Sequence, residues 1–267
     1  MKTLIIRKSS FYTLLILILS VSNIYAQSVQ KAPVFVLVHG AFHGGWCWQR
    51  VSRELKAKGD SVYTPTLSGL AEKKSQLTDK IDLNTHINDI VDFMVSKDLH
   101  NVILVGHSYA GAVIAGVADR IPERLSQLVF LDAMLVKNGQ SALDVSPDDI
   151  RVYFIKASND NDQGLSIPFF TSDFFGVTEV ADMKWVNQQL TNQPFRTFSQ
   201  ALILKNPYGN HLPLTYIACT QPELRAIQQF ADTAKSSRGW KYLELKTGHD
   251  AMITEPVKLS EMLQSLY

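Results

Sequence analysis

A serine flanked by small residues lies where an apolar segment changes to a small-residue segment, in NVILVGHSYAGAVIAG at residues 101–116. The first half is typical of a buried strand and the second half of a helix. Gly106 and Ala110 stand two residues before and after Ser108, where a sharp strand-to-helix turn requires small side chains because neighbouring backbone approaches closely. Such a turn lifts a serine hydroxyl clear of the sheet. We therefore predict that Ser108 is a nucleophile, with an ordinary helix-capping serine as the alternative.

A histidine and two backbone amides could supply the other groups that a serine nucleophile needs. His249 follows the last apolar strand segment, where it can act as a general base over the carboxyl ends of the strands. The oxyanion of an acyl-transfer reaction needs two N–H donors, one after the nucleophile and one from a loop after an earlier strand. We predict that Tyr109 and Ala41 provide them. Three other histidines near these turns, His39, His43 and His107, are predicted to bond backbone groups or to pack without moving protons.

The elements that must position these residues alternate along the chain. Six short apolar runs, rich in β-branched residues, are separated by amphipathic segments, which predicts an α/β fold with a mostly parallel central sheet flanked by helices. The runs are apolar on both faces, as in strands that helices cover on each side. The predicted strands cover residues 34–38, 61–65, 101–106, 125–131, 214–220 and 241–245, and the predicted helices cover roughly 46–58, 84–97, 109–119, 222–236 and 256–266.

One segment, residues 134–205, breaks this alternation. It has no clear strand signal, and it is too long to be a plain connection between two strands. We predict that it is a helical cap inserted into a single α/β domain that spans residues 27–267. Its aromatic side chains favour an apolar or aromatic ligand; they are Phe154, Phe169, Phe170, Phe174, Phe175, Trp185, Phe195 and Phe198.

The N-terminal segment has the composition of a secretory signal peptide. Basic residues precede an apolar run over residues 11–21, and the small residue Ala26 follows it. The run is shorter than the roughly 20 apolar residues that span a bilayer. We predict a signal peptide over residues 1–26, a periplasmic or secreted protein, and no stable membrane insertion after cleavage.

Charge and cysteine content narrow the function classes. The formal net charge is +1, with acidic and basic residues interspersed, so no nucleic-acid-binding stripe is predicted. A small, largely uncharged molecule is the predicted partner. Cys47 and Cys219 are far apart in apolar stretches, which indicates two buried thiols and no metal cluster or disulfide framework. A single disulfide between them, which an oxidising compartment permits, is the alternative. Composition does not specify an oligomeric state.

Nearly all of the chain after the signal peptide resembles one branch of the α/β-hydrolase superfamily, which contains plant methylesterases, hydroxynitrile lyases and related bacterial carboxylesterases. The resemblance rests on VFVLVHGAFHGGWCWQRV, TPTLSGLAEK, IDLNTHINDIVDFM, VILVGHSYAGAVI, LTNQPFRTFSQAL and GHDAMITEP. It implies a serine carboxylesterase with a helical cap, acting on a small ester without a cofactor or metal. By motif position, Ser108 would be the nucleophile, His249 the base, and Ala41 and Tyr109 the oxyanion donors.

Two positions depart from the hydroxynitrile lyases of this branch. Those enzymes have a threonine and a lysine where this chain has Gly40 and Asp250. Elimination of cyanide needs a positive group to receive it, and Asp250 has the opposite sign. A lyase-like enzyme is therefore the second-ranked function, and a non-catalytic small-molecule-binding homologue is another alternative.

The third departure concerns the acid that orients the histidine. Relatives commonly place an aspartate where this chain has Pro222, which has no side-chain acceptor. We predict that Asp132 replaces it, because haloalkane dehalogenases place their acid after this earlier strand with similar spacing from the nucleophile. Glu223 is the alternative acid, although a carboxylate there also complements a helix N-terminus. A third possibility is that no acid remains and the protein only binds its ligand.

Overall fold

The computed structural model describes residues 33–267, and the predicted signal peptide lies outside the described residues. The strands are β1 (Val34–Val38), β2 (Ser61–Tyr63), β3 (Val102–His107), β4 (Leu125–Leu131), β5 (Ser166–Ile167), β6 (Gln193–Pro194), β7 (Leu214–Cys219) and β8 (Trp240–Leu245). Six of them form one sheet in the order β2-β1-β3-β4-β7-β8, and every neighbouring pair is parallel. The predicted α/β class, with a mostly parallel central sheet flanked by helices, is confirmed.

Helices fill most of the crossovers that parallel pairing requires. The α-helices are α1 (Gln49–Ala57), α2 (Leu83–Ser96), α3 (Ala110–Arg120), α4 (Asp148–Asp160), α5 (Val180–Gln189), α6 (Phe195–Ser199), α7 (Arg225–Ser236), α8 (Ala251–Thr254) and α9 (Pro256–Gln264). Short 3₁₀ helices cover Gly45–Trp48, Ala71–Gln76, Pro122–Arg124 and Ser172–Phe175. Among residues 33–267, the helices lack the combination of length and apolar character that a membrane span requires.

Strand β3 and helix α3 lie at the centre of the core. All six residues of β3 are buried, and so are residues 110–118 of α3. Alanine, glycine and valine dominate that helix, so its backbone lies close to neighbouring elements. A Cβ atom on Gly116 would lie 2.3 Å from Ile87 Cδ1 of α2. The small-residue segment after Ser108 therefore fixes how closely the helices pack beside the nucleophile.

The segment 134–205 lies outside the six-stranded sheet. It contains α4, α5 and α6, and also the antiparallel pair β5–β6, which the sequence does not predict. Each strand of this pair has two residues, which is too short for an alternating pattern to show. The assignment of this segment as a cap on a single domain stays a prediction.

The parallel sheet brings four sequence-distant residues to one edge. Ala41 follows β1, Ser108 follows β3, Asp132 follows β4, and His249 follows β8. Because the strands are parallel, their carboxyl ends all lie at the same edge, where open α/β sheets bind ligands. The candidate site is therefore built from loops that one rigid sheet supports.

Candidate active site

Ser108 lies in a strained turn between β3 and α3. Its φ angle is +55°, in the left-handed region that residues other than glycine rarely adopt. A Cβ atom on Gly106 would lie 2.8 Å from Ala110 O, so the turn excludes a larger residue there. The Ser108 N–H donates to Leu131 O at 3.1 Å, and Ser108 O accepts from the Met134 N–H at 2.9 Å. These bonds to the last residue of β4 and to the loop that follows it hold the strained backbone in place.

The structure brings His249 and Asp132 together in a buried pair. His249 Nδ1 lies 2.6 Å from Asp132 Oδ2, and each residue is 2% exposed. The other carboxylate oxygen accepts the Cys219 N–H at 3.0 Å, which fixes the orientation of the carboxylate. With Nδ1–H donated to Asp132, Nε2 is the ring atom that can accept a proton, and His249 and Ser108 line the same cavity. Glu223 is exposed and forms no hydrogen bond with His249.

The loop after β1 approaches the nucleophile closely. A Cβ atom on Gly40 would lie 2.9 Å from Ser108 Cβ, so glycine is required at that position. Within residues 33–267, neither the Ala41 N–H nor the Tyr109 N–H donates a hydrogen bond, whereas the Phe42 N–H donates to a side chain of the 134–205 segment at 3.0 Å. Both predicted oxyanion donors therefore have a backbone N–H without an intramolecular acceptor, and their role in binding the oxyanion stays a prediction.

Two of the neighbouring histidines bond backbone groups in their neutral form. His39 donates from Nδ1 to Gly40 O at 2.8 Å, and its Nε2 accepts the Leu67 N–H at 3.0 Å. Burial lowers the pKa of His39 to about 3. His107 donates from Nε2 to His249 O at 3.0 Å, and burial together with the nearby His249 lowers its pKa. These side chains brace the site as neutral imidazoles at neutral pH.

The third histidine, His43, forms a buried ion pair with Asp250. Its Nδ1 lies 2.7 Å from Ala41 O, and its Nε2 lies 3.1 Å from Asp250 Oδ2. Burial lowers the pKa of His43, but the charge and hydrogen bond of Asp250 outweigh that effect, so the pKa is raised. The partners of the two ring nitrogens are a carbonyl and a carboxylate, which both accept, so the geometry and the raised pKa together favour the imidazolium form of His43. Sequence reasoning missed this pair, because 207 residues separate its members and no periodic pattern relates them.

We expect the neutral His39 to make folding stability fall in acid. Its folded-state pKa of about 3 lies below the unfolded value of 6.5. The unfolded chain therefore binds one more proton between these values, and the free energy of unfolding falls as pH decreases through that window. Binding of this one extra proton by the unfolded chain lowers the free energy of unfolding by about 1 kcal/mol between pH 6 and pH 5. Urea unfolding of wild type and His39→Gln at both pH values measures it.

In that comparison, the variant should lose about 1 kcal/mol less than wild type between pH 6 and pH 5. The overall stability of the variant does not matter, because the test concerns the difference between two pH values. An equal pH-dependent loss in both proteins would show that His39 takes up its proton in the folded state. His39 would then not be the neutral brace that its hydrogen bonds indicate.

An apolar cavity lies over Ser108 and His249. It encloses about 540 Å³ of empty space, its open mouth included. Among the described residues that line it there is no lysine, arginine, aspartate or glutamate, and His43 at its wall is already paired with Asp250. Most of the wall comes from the 134–205 segment and from α7. Six phenylalanines of the part of the chain that the structure describes line it: Phe42, Phe154, Phe170, Phe174, Phe175 and Phe198.

The cysteines do not form a site. Cys47 and Cys219 are free and buried, and burial raises the pKa of both thiols. Within residues 33–267, no group of three or more histidine, cysteine or acidic side chains is arranged to hold a metal ion.

Comparison with known proteins identifies relatives along almost the whole chain. The model of the alpha/beta hydrolase family matches residues 35–261. A carbendazim hydrolyzing esterase of Nocardioides sp. (strain SG-4G) is 35% identical over 87% of this chain and 98% of that protein. Methylesterase 10 of Arabidopsis thaliana is 27% identical over 89% of this chain and 92% of that protein. Among solved structures, an extracellular alpha/beta-hydrolase from a Paenibacillus species is 27% identical with a TM-score of 0.77, covering 87% of this chain and 98% of that one.

Proposed function

Because the chain belongs to the alpha/beta hydrolase family, we propose that it is a serine carboxylesterase that hydrolyses a small, neutral, apolar or aromatic ester. The observation that carries this proposal is the buried hydrogen bond of 2.6 Å between His249 and Asp132, with His249 lining the cavity that also contains Ser108. The names of two relatives, an esterase and a methylesterase, support the same reaction class.

The proposed reaction proceeds through an acyl-enzyme. Ser108 Oγ attacks the ester carbonyl carbon while His249 Nε2 takes the hydroxyl proton. The negative charge that develops on the carbonyl oxygen is bound by the N–H groups of Ala41 and Tyr109. His249 then gives the proton to the leaving alcohol, and water repeats the sequence on the acyl-enzyme. Throughout, Asp132 keeps Nδ1 protonated and stabilises the imidazolium.

The cavity wall supports a neutral substrate. A carboxylate on the substrate would lose its hydration without gaining a free cationic partner, which disfavours its burial by several kcal/mol. We expect kcat/KM for p-nitrophenyl valerate to exceed that for mono-p-nitrophenyl glutarate by about 100-fold or more. These esters have equal acyl chain length and the same leaving group, and they differ at the chain end, which is a methyl group in one and a carboxylate in the other. Similar kcat/KM values for both would contradict a neutral-substrate cavity.

The serine-esterase proposal is tested by labelling and hydrolysis together. Wild-type protein should be labelled covalently by a fluorophosphonate probe and should hydrolyse p-nitrophenyl acetate. Carbendazim, the compound in the name of the Nocardioides relative, is a further substrate to assay. An unlabelled wild-type protein that is also inactive on p-nitrophenyl acetate would instead favour the binding-only alternative.

A lyase-like activity is the remaining catalytic alternative. Asp250 bonds to His43 and does not line the cavity, so no cation follows His249 to receive cyanide. We expect no cyanide release from mandelonitrile above the buffer rate. Enzyme-dependent release would reverse the ranking of these two reactions.

Export is part of the proposal. The basic and apolar composition of residues 1–26 supports a cleaved signal peptide. The Paenibacillus neighbour, which is named extracellular, supports the same location. Peptide sequencing of the protein recovered from outside the cytoplasm should give an N-terminus at Gln27.

A further inference from the structure

The peptide group between Ala41 and Phe42 forms a hydrogen bond at its C=O and another at its N–H. Its carbonyl oxygen, Ala41 O, accepts a hydrogen bond from His43 Nδ1 at 2.7 Å. Its N–H group, on Phe42, donates to Gln193 Oε1 at 3.0 Å. The neighbouring Phe42 O accepts the Thr191 N–H at 2.9 Å. The loop that carries the Ala41 amide is thus bonded internally through His43 and externally to one distant segment, residues 191–193.

The Gln193 side chain is oriented by its own partners. It is fully buried, and its Nε2 donates to Thr197 Oγ1 at 2.7 Å. The Thr197 hydroxyl donates onward to Pro194 O at 2.6 Å, so its oxygen must accept from the amide nitrogen. That assignment directs Gln193 Oε1 toward the Phe42 N–H. The short strand β6, absent from the sequence prediction, carries the glutamine.

The other end of the peptide is held by the buried ion pair. His43 can donate from Nδ1 to Ala41 O while bonded to Asp250, because both ring nitrogens carry protons. Asp250 lies directly after His249 in the chain, and its N–H donates to Phe175 O at 3.0 Å. The loop of the proposed base and the loop of the proposed oxyanion donor are therefore joined through one ion pair.

This loop needs such support because its backbone is strained. Phe42 has a φ angle of +68°, which a phenylalanine adopts at a free-energy cost of about 1–3 kcal/mol. Rotation of the 41–42 peptide would relieve the strain and would also change ψ of Ala41. On the preceding side, Gly40 packs against His107, where a Cβ atom would lie 2.8 Å from Nδ1. Ala41 is therefore constrained on both sides: Gly40 before it is closely packed, and the peptide after it is hydrogen-bonded at both its N–H and its C=O.

We propose that Gln193 and His43 are positioning residues that together hold the Ala41–Phe42 peptide and thereby aim the Ala41 N–H at the oxyanion. This inference rests on the proposed esterase function and adds that the 134–205 segment shapes the oxyanion site as well as covering the substrate. Neither residue is required to touch the reacting atoms. Their loss weakens binding of the transition state and leaves binding of the ester unchanged.

The first test compares two replacements of the glutamine. Gln193→Met keeps the length of the side chain but removes the acceptor, and Gln193→Glu keeps an acceptor for the Phe42 N–H. We expect Gln193→Met to lower kcat by about 10- to 100-fold with KM within about threefold of wild type, because a full oxyanion donor is worth 10²–10³ in kcat. Gln193→Glu should recover most of kcat.

A transition-state analogue separates positioning from general loosening of the fold. An aryl trifluoromethyl ketone would form a tetrahedral adduct with Ser108, and its oxyanion would occupy the proposed site. Its inhibition constant should rise in Gln193→Met by the factor by which kcat/KM falls. Ser260→Ala is the control, because Ser260 is buried in α9 and donates to Pro256 O at 2.7 Å. It should lower the melting temperature without changing kcat or the inhibition constant.

The second test asks whether both residues act on the same peptide. The pair His43→Phe with Asp250→Asn removes the ion pair without leaving a buried unpaired charge. Combined with Gln193→Met, it should lower kcat by less than the product of the separate effects, since either change already frees the peptide. If the separate losses of kcat multiply fully, the two sets of residues do not act on the same peptide and the proposal is overturned. An active wild type with unchanged kcat in Gln193→Met would overturn it too, while inactive wild type would overturn the esterase proposal instead.

Discussion

Ser108→Ala is expected to lower kcat for p-nitrophenyl acetate by about 10⁶-fold, the scale of loss when a hydrolase loses its nucleophile. The reason is specific to the proposed covalent route: without Oγ there is no acyl-enzyme, and only binding and oxyanion contacts still assist water. Steady-state hydrolysis measures the loss, and fluorophosphonate labelling should disappear with it. Ser260→Ala, which changes a buried serine that does not line the cavity, should keep both signals.

The Ser108→Ala variant should remain folded, so that its inactivity can be interpreted. The lost hydroxyl belongs to a partly exposed side chain, and the bonds that hold the turn are made by the Ser108 backbone. Replacement by glycine should even raise the melting temperature, since a φ angle of +55° costs glycine almost nothing. Labelling or turnover that survives in Ser108→Ala would refute the assignment of the nucleophile.

Asp132→Asn is expected to lower kcat by about 10⁴-fold, with a much smaller change in KM. An asparagine at this position removes the negative charge that stabilises the His249 imidazolium. Its amide can also present an N–H to Nδ1, which would place the ring proton on Nε2, the atom that must accept from Ser108. The buried bond of 2.6 Å to His249 and the Cys219 N–H behind the carboxylate set the geometry that this variant disturbs.

Glu223→Gln is the matched control for that experiment. It makes the same carboxylate-to-amide change at the alternative acid, whose side chain is exposed and does not bond to His249. Its kcat should stay within about twofold of wild type, the range of a surface substitution. If Glu223→Gln loses activity while Asp132→Asn keeps it, the acid is Glu223 and our assignment is wrong.

Much of the fold could be predicted because its signals are local. The predicted strands at 34–38 and 125–131 have the observed bounds, since apolar β-branched runs mark buried parallel strands. The predicted helix 222–236 begins only at Arg225, because a turn at residues 221–222 and the extended Leu224 precede it. The roles of Gly106 and Ala110 could be predicted for a similar reason, because a tight turn requires small residues at fixed distances along the chain from Ser108.

The stretch TYIACTQPELRAI, residues 215–227, shows the limit of what local sequence patterns can predict. Pro222 reveals that an expected carboxylate is absent, but not what takes its place. In the structure β7 lies beside β4, and its last residue, Cys219, donates its N–H to Asp132 at 3.0 Å. A strand end without an acid thus supports the carboxylate of its neighbour through the backbone. That relation depends on which strands are adjacent and in what register.

The sequence by itself therefore determined the α/β class and the candidate serine, histidine and oxyanion loop, because each depends on spacing and burial within a short segment. Only the tertiary structure decided how the side chains pair. Asp250 bonds to His43 across 207 positions, and Gln193 bonds to Phe42 across 151. Such partners are selected by packing and strand register after the chain has folded, and no periodic pattern in the sequence encodes them.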